Sequence, residues 1–88
     1  MKQSKTFKNL FEDAKKSPEY WAAGLHLEIC EAICDEMRRQ KIGRAELARR
    51  VGVNRSAVTR WLGDSNLCLV SIAKMCMALD LELRVEKR

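Results

Sequence analysis

The sequence lacks the features that define several large classes of protein. No stretch approaches the roughly 20 consecutive apolar residues that a membrane-spanning helix needs. The Lys-rich start of the chain has no apolar run, so it is not typical of a secretion signal. There is no glycine-rich phosphate loop, no nucleophile beside a base and no pair of carboxylates in a credible pocket. The sequence therefore predicts a protein that is not an enzyme, with no catalytic residue, cofactor, membrane contact or small-molecule substrate.

Side chains that bind metals or form disulfides are also few. The single histidine, His26, has no evident acidic or nucleophilic partner in the sequence, which favours a surface position. Cys30 and Cys34 lie one helical turn apart on one face, which is the spacing of core residues. Zinc sites usually combine two closely spaced Cys pairs, so a metal or a disulfide is the weaker alternative. The sequence predicts no metal site, a cytoplasmic location and four buried free thiols, at Cys30, Cys34, Cys68 and Cys76.

The distribution of charge is more informative than the net charge of +5. Between Arg38 and Arg60 there are eight Lys or Arg residues and one acid, Glu46. Between Tyr20 and Met37 the balance is reversed, with four acids and no Lys or Arg. An isolated run of charge is usually a solvated helix surface, but a basic patch balanced by acid elsewhere is typical of a nucleic-acid interface. The 88 residues form one small domain, for which dimerisation would enlarge the buried core.

Residues 44–62 contain two short amphipathic segments separated by a turn. Apolar residues recur at helical spacing in both segments, at Leu47, Ala48 and Val51 and again at Val58, Trp61 and Leu62. Gly52 can adopt the left-handed conformation that ends a helix. Asn54 is a strong N-cap residue, so the second helix should begin at Arg55. The pattern predicts a helix-turn-helix.

The residues of this motif resemble a known family. Glu46-Leu47-Ala48, Gly52-Val53, Ser56, Val58, Trp61-Leu62 and Gly63 follow the pattern of the phage-repressor/Cro-like (XRE) helix-turn-helix domain. The resemblance spans about residues 25–79 and includes Asn66 to Leu69, Ile72 and Ala78-Leu79. It implies an all-α, lambda-repressor-like helix-turn-helix bundle that places its second motif helix in the major groove of DNA.

The segments around the motif complete the predicted domain. An amphipathic helix is predicted from Thr6 to Lys16, within an N-terminal extension of residues 1–17. A second helix should run from Pro18 to Gln40, capped by Ser17, with a possible kink or break at Gly24. Tyr20 and Trp21 are expected in the core or at an interface. A last helix, from Leu69 to Leu79, should turn one face inward and fill gaps with methionine; its inward residues are Leu69, Ile72, Ala73, Cys76 and Leu79, and its gap-filling residues are Met75 and Met77.

In residues 80–88, at the end of the chain, the spacing of apolar residues changes from helical to alternating. Leu81, Leu83 and Val85 alternate with charged residues, which predicts a short β-strand. A lone strand has no partner in its own chain, so pairing with the same strand of a second copy would satisfy its backbone. The tail is similar to that of the high-persistence type antitoxins, which dimerise in this way. The alternative is a helical extension or a frayed tail.

The predicted site divides into residues that contact bases and residues that contact phosphates. The outer face of the second motif helix carries the candidates for base contacts, namely Arg55, Ser56, Thr59 and Arg60. The candidates for phosphate contacts are Lys41, Arg44, Arg49, Arg50 and Asn54. The resemblance implies that Arg44 contacts the DNA backbone. For Asn54 the alternative is a capping role without any contact to DNA.

Two functions are consistent with this site. The first is a sequence-specific regulator of transcription that binds a double-stranded DNA operator, most simply as a homodimeric repressor. The second is an antitoxin that binds a protein toxin through its terminal helix or acidic face and uses DNA binding for autoregulation. A toxin-like reading frame beside the gene would favour the second.

Overall fold

The first helix is defined by strong signals at both ends. In the computed structural model, which describes residues 17–87, helix α1 spans Pro18–Gln40. Ser17 is its N-cap, with its hydroxyl oxygen 3.1 Å from the backbone nitrogen of Tyr20, and Pro18 occupies the first helical position. The helix ends at Lys41, which is left-handed (φ 59°). Gly24 does not interrupt it, so α1 is one continuous helix of 23 residues.

Two short helices follow, joined by the predicted turn. Helix α2 spans Arg44–Val51 and helix α3 spans Arg55–Gly63. Gly52 is left-handed (φ 92°), and its backbone N–H donates to the carbonyl of Ala48 at 2.8 Å. The side-chain oxygen of Asn54 accepts a hydrogen bond from the backbone N–H of Ala57 at 2.9 Å. The predicted start of α3 at Arg55 and both predicted capping roles are confirmed.

Helix α4 spans Leu69–Leu79 and completes a small all-α bundle. It ends at the left-handed Asp80 (φ 56°). The buried residues come from all four helices, which therefore share one core: Ile33, Met37, Leu47, Ala48, Val58, Ile72, Met75, Cys76 and Leu79. Full burial of a large aliphatic side chain contributes roughly 1.5–3 kcal/mol, so these residues fix how the short helices pack.

Part of the predicted orientation of α4 is wrong. Met75 is fully buried, but Leu69 and Met77 are 79% and 81% exposed and Ala73 is also exposed. Helical geometry explains this, because successive residues are about 100° apart and Met77 falls on the same side as Val70, away from the buried Ile72 and Leu79. The helix is apolar on two sides, and its sequence alone does not say which side meets the core.

The aromatic residues near the start of α1 are not part of the described core. Tyr20 and Trp21 are 37% and 48% exposed, and Leu25 is 61% exposed. Of the two predicted positions, the core is therefore excluded for residues 17–87, and an interface stays a prediction.

The predicted C-terminal strand does not form in the single chain. Residues 81–87 make no β-ladder, and no strand occurs anywhere in the described part of the chain. Leu81 packs on the core and donates its backbone N–H to the carbonyl of Cys76 at 2.8 Å, whereas Val85 is fully exposed. A strand needs a neighbouring strand for its hydrogen bonds, and residues 17–87 provide none. The predicted helix from Thr6 to Lys16 lies outside the described residues.

No helix within residues 17–87 combines the length and the apolar character needed to cross a membrane.

We expect Leu47→Ala to reduce the free energy of unfolding by about 2–5 kcal/mol, because Leu47 is completely buried in the shared core. Leu27→Ala removes the same atoms from a side chain that is 59% exposed and should change stability by no more than about 0.5 kcal/mol. Urea denaturation followed by circular dichroism measures both. Equal losses for the two variants would contradict the packing of α2.

Candidate nucleic-acid interface

Helix α3 separates its buried residues from its polar ones. Val58 is fully buried, and Trp61 and Leu62 pack against the core. Successive residues of a helix are about 100° apart, so Ser56, Thr59 and Arg60 lie about 100° or more away from the buried Val58. Arg55 is on the same side as Leu62, seven residues further on, but it is the first residue of α3 and is exposed. These three residues, also exposed, and Arg55 are the four predicted base contacts, and together they form the outer face of α3. The outer face of α3 is therefore polar and accessible along its whole length.

The start of α2 lies beside this face. A guanidinium nitrogen of Arg44 (Nη1) is 3.4 Å from the hydroxyl oxygen of Thr59, to which it donates. Arg44, Arg55 and Thr59 line one surface cleft of about 470 Å³, together with Gly43 and Ala45. Gly43 caps α2 without a side-chain hydrogen bond, so amide groups at this helix start have no side-chain acceptor there. The cleft brings a predicted phosphate contact next to two predicted base contacts, at the positive end of a helix.

The arginines of the described chain fall into two groups. Several pair with acids three or four positions away or close in sequence, as in Arg39–Glu36 at 2.5 Å and Arg49–Glu46 at 2.5 Å. The other pairs are Arg38–Asp35, Arg50–Glu46 and Arg84–Glu82. Within residues 17–87 no ion pair involves Lys41, Arg44, Arg55 or Arg60. The uncompensated positive charge of the basic run is thus concentrated at the start of α2 and on the outer face of α3.

Arg49 and Arg50 differ although both pair with Glu46. The Arg49 side chain is 73% exposed, whereas that of Arg50 is only 32% exposed. Arg50 also donates to the side-chain oxygen of Gln40 at 2.8 Å and to the carbonyl of Ala78 at 3.4 Å. No sequence pattern indicates the role of Gln40, because its partners Arg50 and Leu79 lie 10 and 39 residues away. Arg50 is held against α1 and α4, while Arg49 points to solvent.

The two remaining predicted phosphate contacts are also at helix ends. Lys41 is exposed and forms the left-handed C-cap of α1. Asn54 is exposed, and its side-chain oxygen is used in the cap of α3. The cap leaves the amide nitrogen of Asn54 as the group that could donate to a phosphate.

Two acids that pair with arginines of the basic region are ionised well below neutral pH. Hydrogen bonds from Arg49 and Arg50 lower the pKa of Glu46 to about 2. Hydrogen bonds from Arg39 and Gln40 lower the pKa of Glu36 to about 2. Both carboxylates therefore keep their negative charge at any pH near neutrality and offset part of the charge of their arginines.

His26 is only partly exposed, although the sequence predicts a surface position. It is half-buried, with its Nε2 atom 3.2 Å from the Cys30 sulfur and 3.5 Å from the carbonyl oxygen of Trp61. The Cys30 thiol donates to the carbonyl of Leu62 at 3.4 Å. The two side chains, spaced one helical turn apart, connect α1 to the carboxyl end of α3. The spacing of His26 and Cys30 in the sequence indicates that they can contact each other. It does not indicate their carbonyl partners, which are more than 30 residues away.

The four cysteines are free thiols, but only one is buried. Cys76 is buried, Cys30 and Cys34 are half-buried, and Cys68 is exposed at the N-cap of α4. The prediction of burial is wrong for Cys68, because its position before the first turn of α4 lies outside the core. Burial raises the pKa of Cys76, and burial together with the nearby Cys34 raises that of Cys30. Among residues 17–87 no three His, Cys, Asp or Glu side chains are grouped so that they could hold a metal ion.

Comparisons with protein-family models, curated proteins and solved structures find no match for this chain. The function of the chain is therefore inferred from its motif residues and from the geometry of α2 and α3.

The lowered pKa of Glu46 predicts an acid-dependent loss of stability. The ion pairs stabilise the fold fully above the ordinary carboxyl pKa of about 4.5, and this stabilisation is lost as the pH falls toward 2. We expect Glu46→Gln to lower the melting temperature at neutral pH and to reduce its decline between about pH 5 and pH 2. Thermal unfolding across this range measures the effect. The control is Glu31→Gln, at an exposed position of α1, which should follow the wild-type curve; an unchanged decline in the Glu46 variant would contradict the assignment.

Proposed function

We propose that this protein is a sequence-specific, DNA-binding regulator of transcription of the phage-repressor/Cro-like type. The observation that carries the proposal is the concentration of unpaired positive charge on the exposed face of a capped helix-turn-helix. Arg55 and Arg60 lie on the outer face of α3, and Arg44 extends the same charge onto α2. Elsewhere in the described chain most arginines are partnered by acids, so this face is electrostatically distinct.

The dimensions of α3 suit the major groove. An α-helix with its side chains is about 10–12 Å across, and the major groove of B-DNA is roughly 12 Å wide, so the nine-residue α3 fits into it. Arg55 and Arg60 each carry a guanidinium fork that matches the O6 and N7 acceptors of guanine. Ser56 and Thr59 can bond to bases or to phosphates. In this arrangement α3 supplies base recognition.

Phosphate contacts would come from the residues that flank α3. Arg44 is the leading candidate, because its guanidinium lies at the start of α2 and already touches Thr59. Lys41 and Arg49 are exposed neighbours, and Asn54 lies at the turn. Such contacts supply affinity without sequence information and place α3 at a fixed depth in the groove.

The active species in this proposal is a homodimer, because one short helix contacts too few base pairs to specify a genomic site. The described chain has an apolar surface on α4 and the tail, where Val70 and Met77 are 60% and 81% exposed. Next to it, Ala73, Met77, Leu81 and Leu83 border a groove of about 530 Å³. A second copy would cover this surface and pair residues 81–85 as an antiparallel ribbon. Two copies would contact half-sites about 10 base pairs apart, and occupying the operator would repress transcription.

We expect Arg55→Ala to reduce affinity by about 1–3 kcal/mol and to relax preference at one base position. Arg44→Ala should weaken binding to all sequences with little change in preference, because it removes a phosphate contact. Selection of bound duplexes from a random pool, followed by fluorescence anisotropy titrations, measures both. Arg38→Ala is the control, since it removes the same charge from an arginine paired with Asp35 on α1. Wild-type affinity and preference in both test variants would place the DNA on another surface.

We expect deletion of residues 81–88 to lower the mass measured by light scattering from that of a dimer to that of a monomer. The deletion should also weaken operator binding greatly. Leu83→Glu is a milder variant, because identical strands paired about a two-fold axis would bring the introduced charges close together. It should shift the chain toward monomer while leaving the helical circular dichroism unchanged. A Leu83→Glu chain that stays dimeric at micromolar concentration would locate the interface elsewhere, with residues 6–16 the next candidate.

A further inference from the structure

Gln40, the last residue of α1, connects three helices through its side-chain amide. Its nitrogen donates to the carbonyl of Leu79 at 2.8 Å and to the Glu36 carboxylate at 2.7 Å. Its oxygen accepts a hydrogen bond from Arg50 at 2.8 Å. Both ends of the amide are therefore used, and the bonds reach α1, α2 and α4.

Arg50 makes the other half of this connection. It donates to the carbonyl of Ala78 at 3.4 Å and, through Nε, to Glu46 at 3.1 Å. The last carbonyls of a helix have no intrahelical partner and carry partial negative charge. In α4 the backbone N–H groups of Asp80 and Leu81 bond to the carbonyls of Met77 and Cys76. The carbonyl of Ala78 instead accepts a hydrogen bond from the side chain of Arg50, and the carbonyl of Leu79 accepts one from the side chain of Gln40.

We propose that Gln40 and Arg50 form a clamp that fixes α2 against the carboxyl ends of α1 and α4, and that Arg50 is a positioning residue for α3 rather than a phosphate contact. The inference about α3 rests on the proposed DNA-binding function. The clamp itself rests on contacts within the chain.

The surroundings of Arg50 argue against a phosphate contact. Its guanidinium is already shared by a carboxylate, an amide oxygen and a helix carbonyl. Turning it toward DNA would break these bonds and leave the oxygens of Gln40 and Ala78 without their charged donor. Arg49 offers the contrast, because its side chain is more than twice as exposed and pairs with Glu46 alone among the described residues.

Helix α2 has particular need of such a clamp. It is eight residues long, and its N-cap Gly43 provides no side-chain hydrogen bond. Its other end leads through the turn of residues 52–54 directly into α3. A small rotation of α2 would therefore move Arg44 and the outer face of α3 together. Holding the last turn of α2 sets the direction in which α3 leaves the turn.

The test combines a double-mutant cycle with the salt dependence of binding. The variants are Arg50→Ala, Gln40→Ala and the double variant, with Arg49→Ala as the matched control. Thermal unfolding without DNA measures the clamp. Affinity for one duplex, selected by the wild-type protein from a random pool, is measured at several salt concentrations and at a temperature where every variant is fully folded.

We expect each clamp variant to lower the melting temperature and to weaken DNA binding by about fivefold, with the double variant little worse than either single variant. The slope of log affinity against log salt should stay at its wild-type value in Arg50→Ala, because no phosphate contact is lost. In Arg49→Ala the melting temperature should fall less than in Arg50→Ala, because only the exposed pair with Glu46 is lost, and the slope should fall by about 1 if Arg49 touches a phosphate. Gln40 carries no charge, so it makes no ionic contact with phosphate. A loss of affinity in Gln40→Ala that matches the loss in Arg50→Ala would therefore come from a change in the position of α3.

The opposite pattern would overturn the proposal. It consists of a slope reduced by about 1 in Arg50→Ala, an unchanged melting temperature and a Gln40→Ala chain that binds like wild type. Full recovery of affinity by Arg50→Lys would do the same, since lysine keeps the charge but not the guanidinium fork. If the wild-type protein selects no duplex, the DNA-binding function fails. The clamp is then decided by unfolding alone, where additive losses in the double variant refute it and non-additive losses support it.

Discussion

The candidate interface depends on the burial of two short helices against α4. Helices of eight and nine residues are marginal in water by themselves, so α2 and α3 owe their shape to tertiary packing. Leu47 and Val58 are completely buried in the same cluster as Met75 and Leu79. Ala48, also buried, keeps the distance between the two helices small. Because one side of each helix is committed to this core, its other side is fixed in space, and the arginines there acquire a defined geometry.

Charge is then distributed by local pairing on this frame. Isolated surface ion pairs stabilise a fold by little, about 0–1 kcal/mol each, but they decide where the net charge lies. Glu46 is the one acid between Arg38 and Arg60, and its ion pairs with Arg49 and Arg50 hold negative charge on α2. The net positive charge is therefore greatest at Arg44 and on the outer face of α3, where the arginines have no acidic partner among the described residues. A count of basic residues does not reveal this distribution, since it treats all eight as equivalent.

The signals that the sequence carried well are local ones. Ser17, Gly52 and Asn54 define helix ends through bonds to residues three or four positions away, and all three occupy the predicted roles. The errors concern distant partners. His26 and Gln40 bond to groups 35 and 39 residues away, respectively, which no periodicity indicates. The outward position of Met77 does not follow from the sequence, because α4 is apolar on two sides and either side could meet the core. The tail needs a partner that residues 17–87 do not include.

Helix α4 links these features physically. One side of it, through Met75 and Leu79, closes the core that holds α2 and α3. Its last carbonyls receive the side chains of Gln40 and Arg50, and its outer side, with Val70 and Met77, is apolar and exposed. A second copy docked on that outer side would be rigidly connected to both α3 helices through these contacts. The contact between the two α4 helices would then set the distance between the two α3 helices. That distance would in turn set the spacing of the two half-sites on the operator.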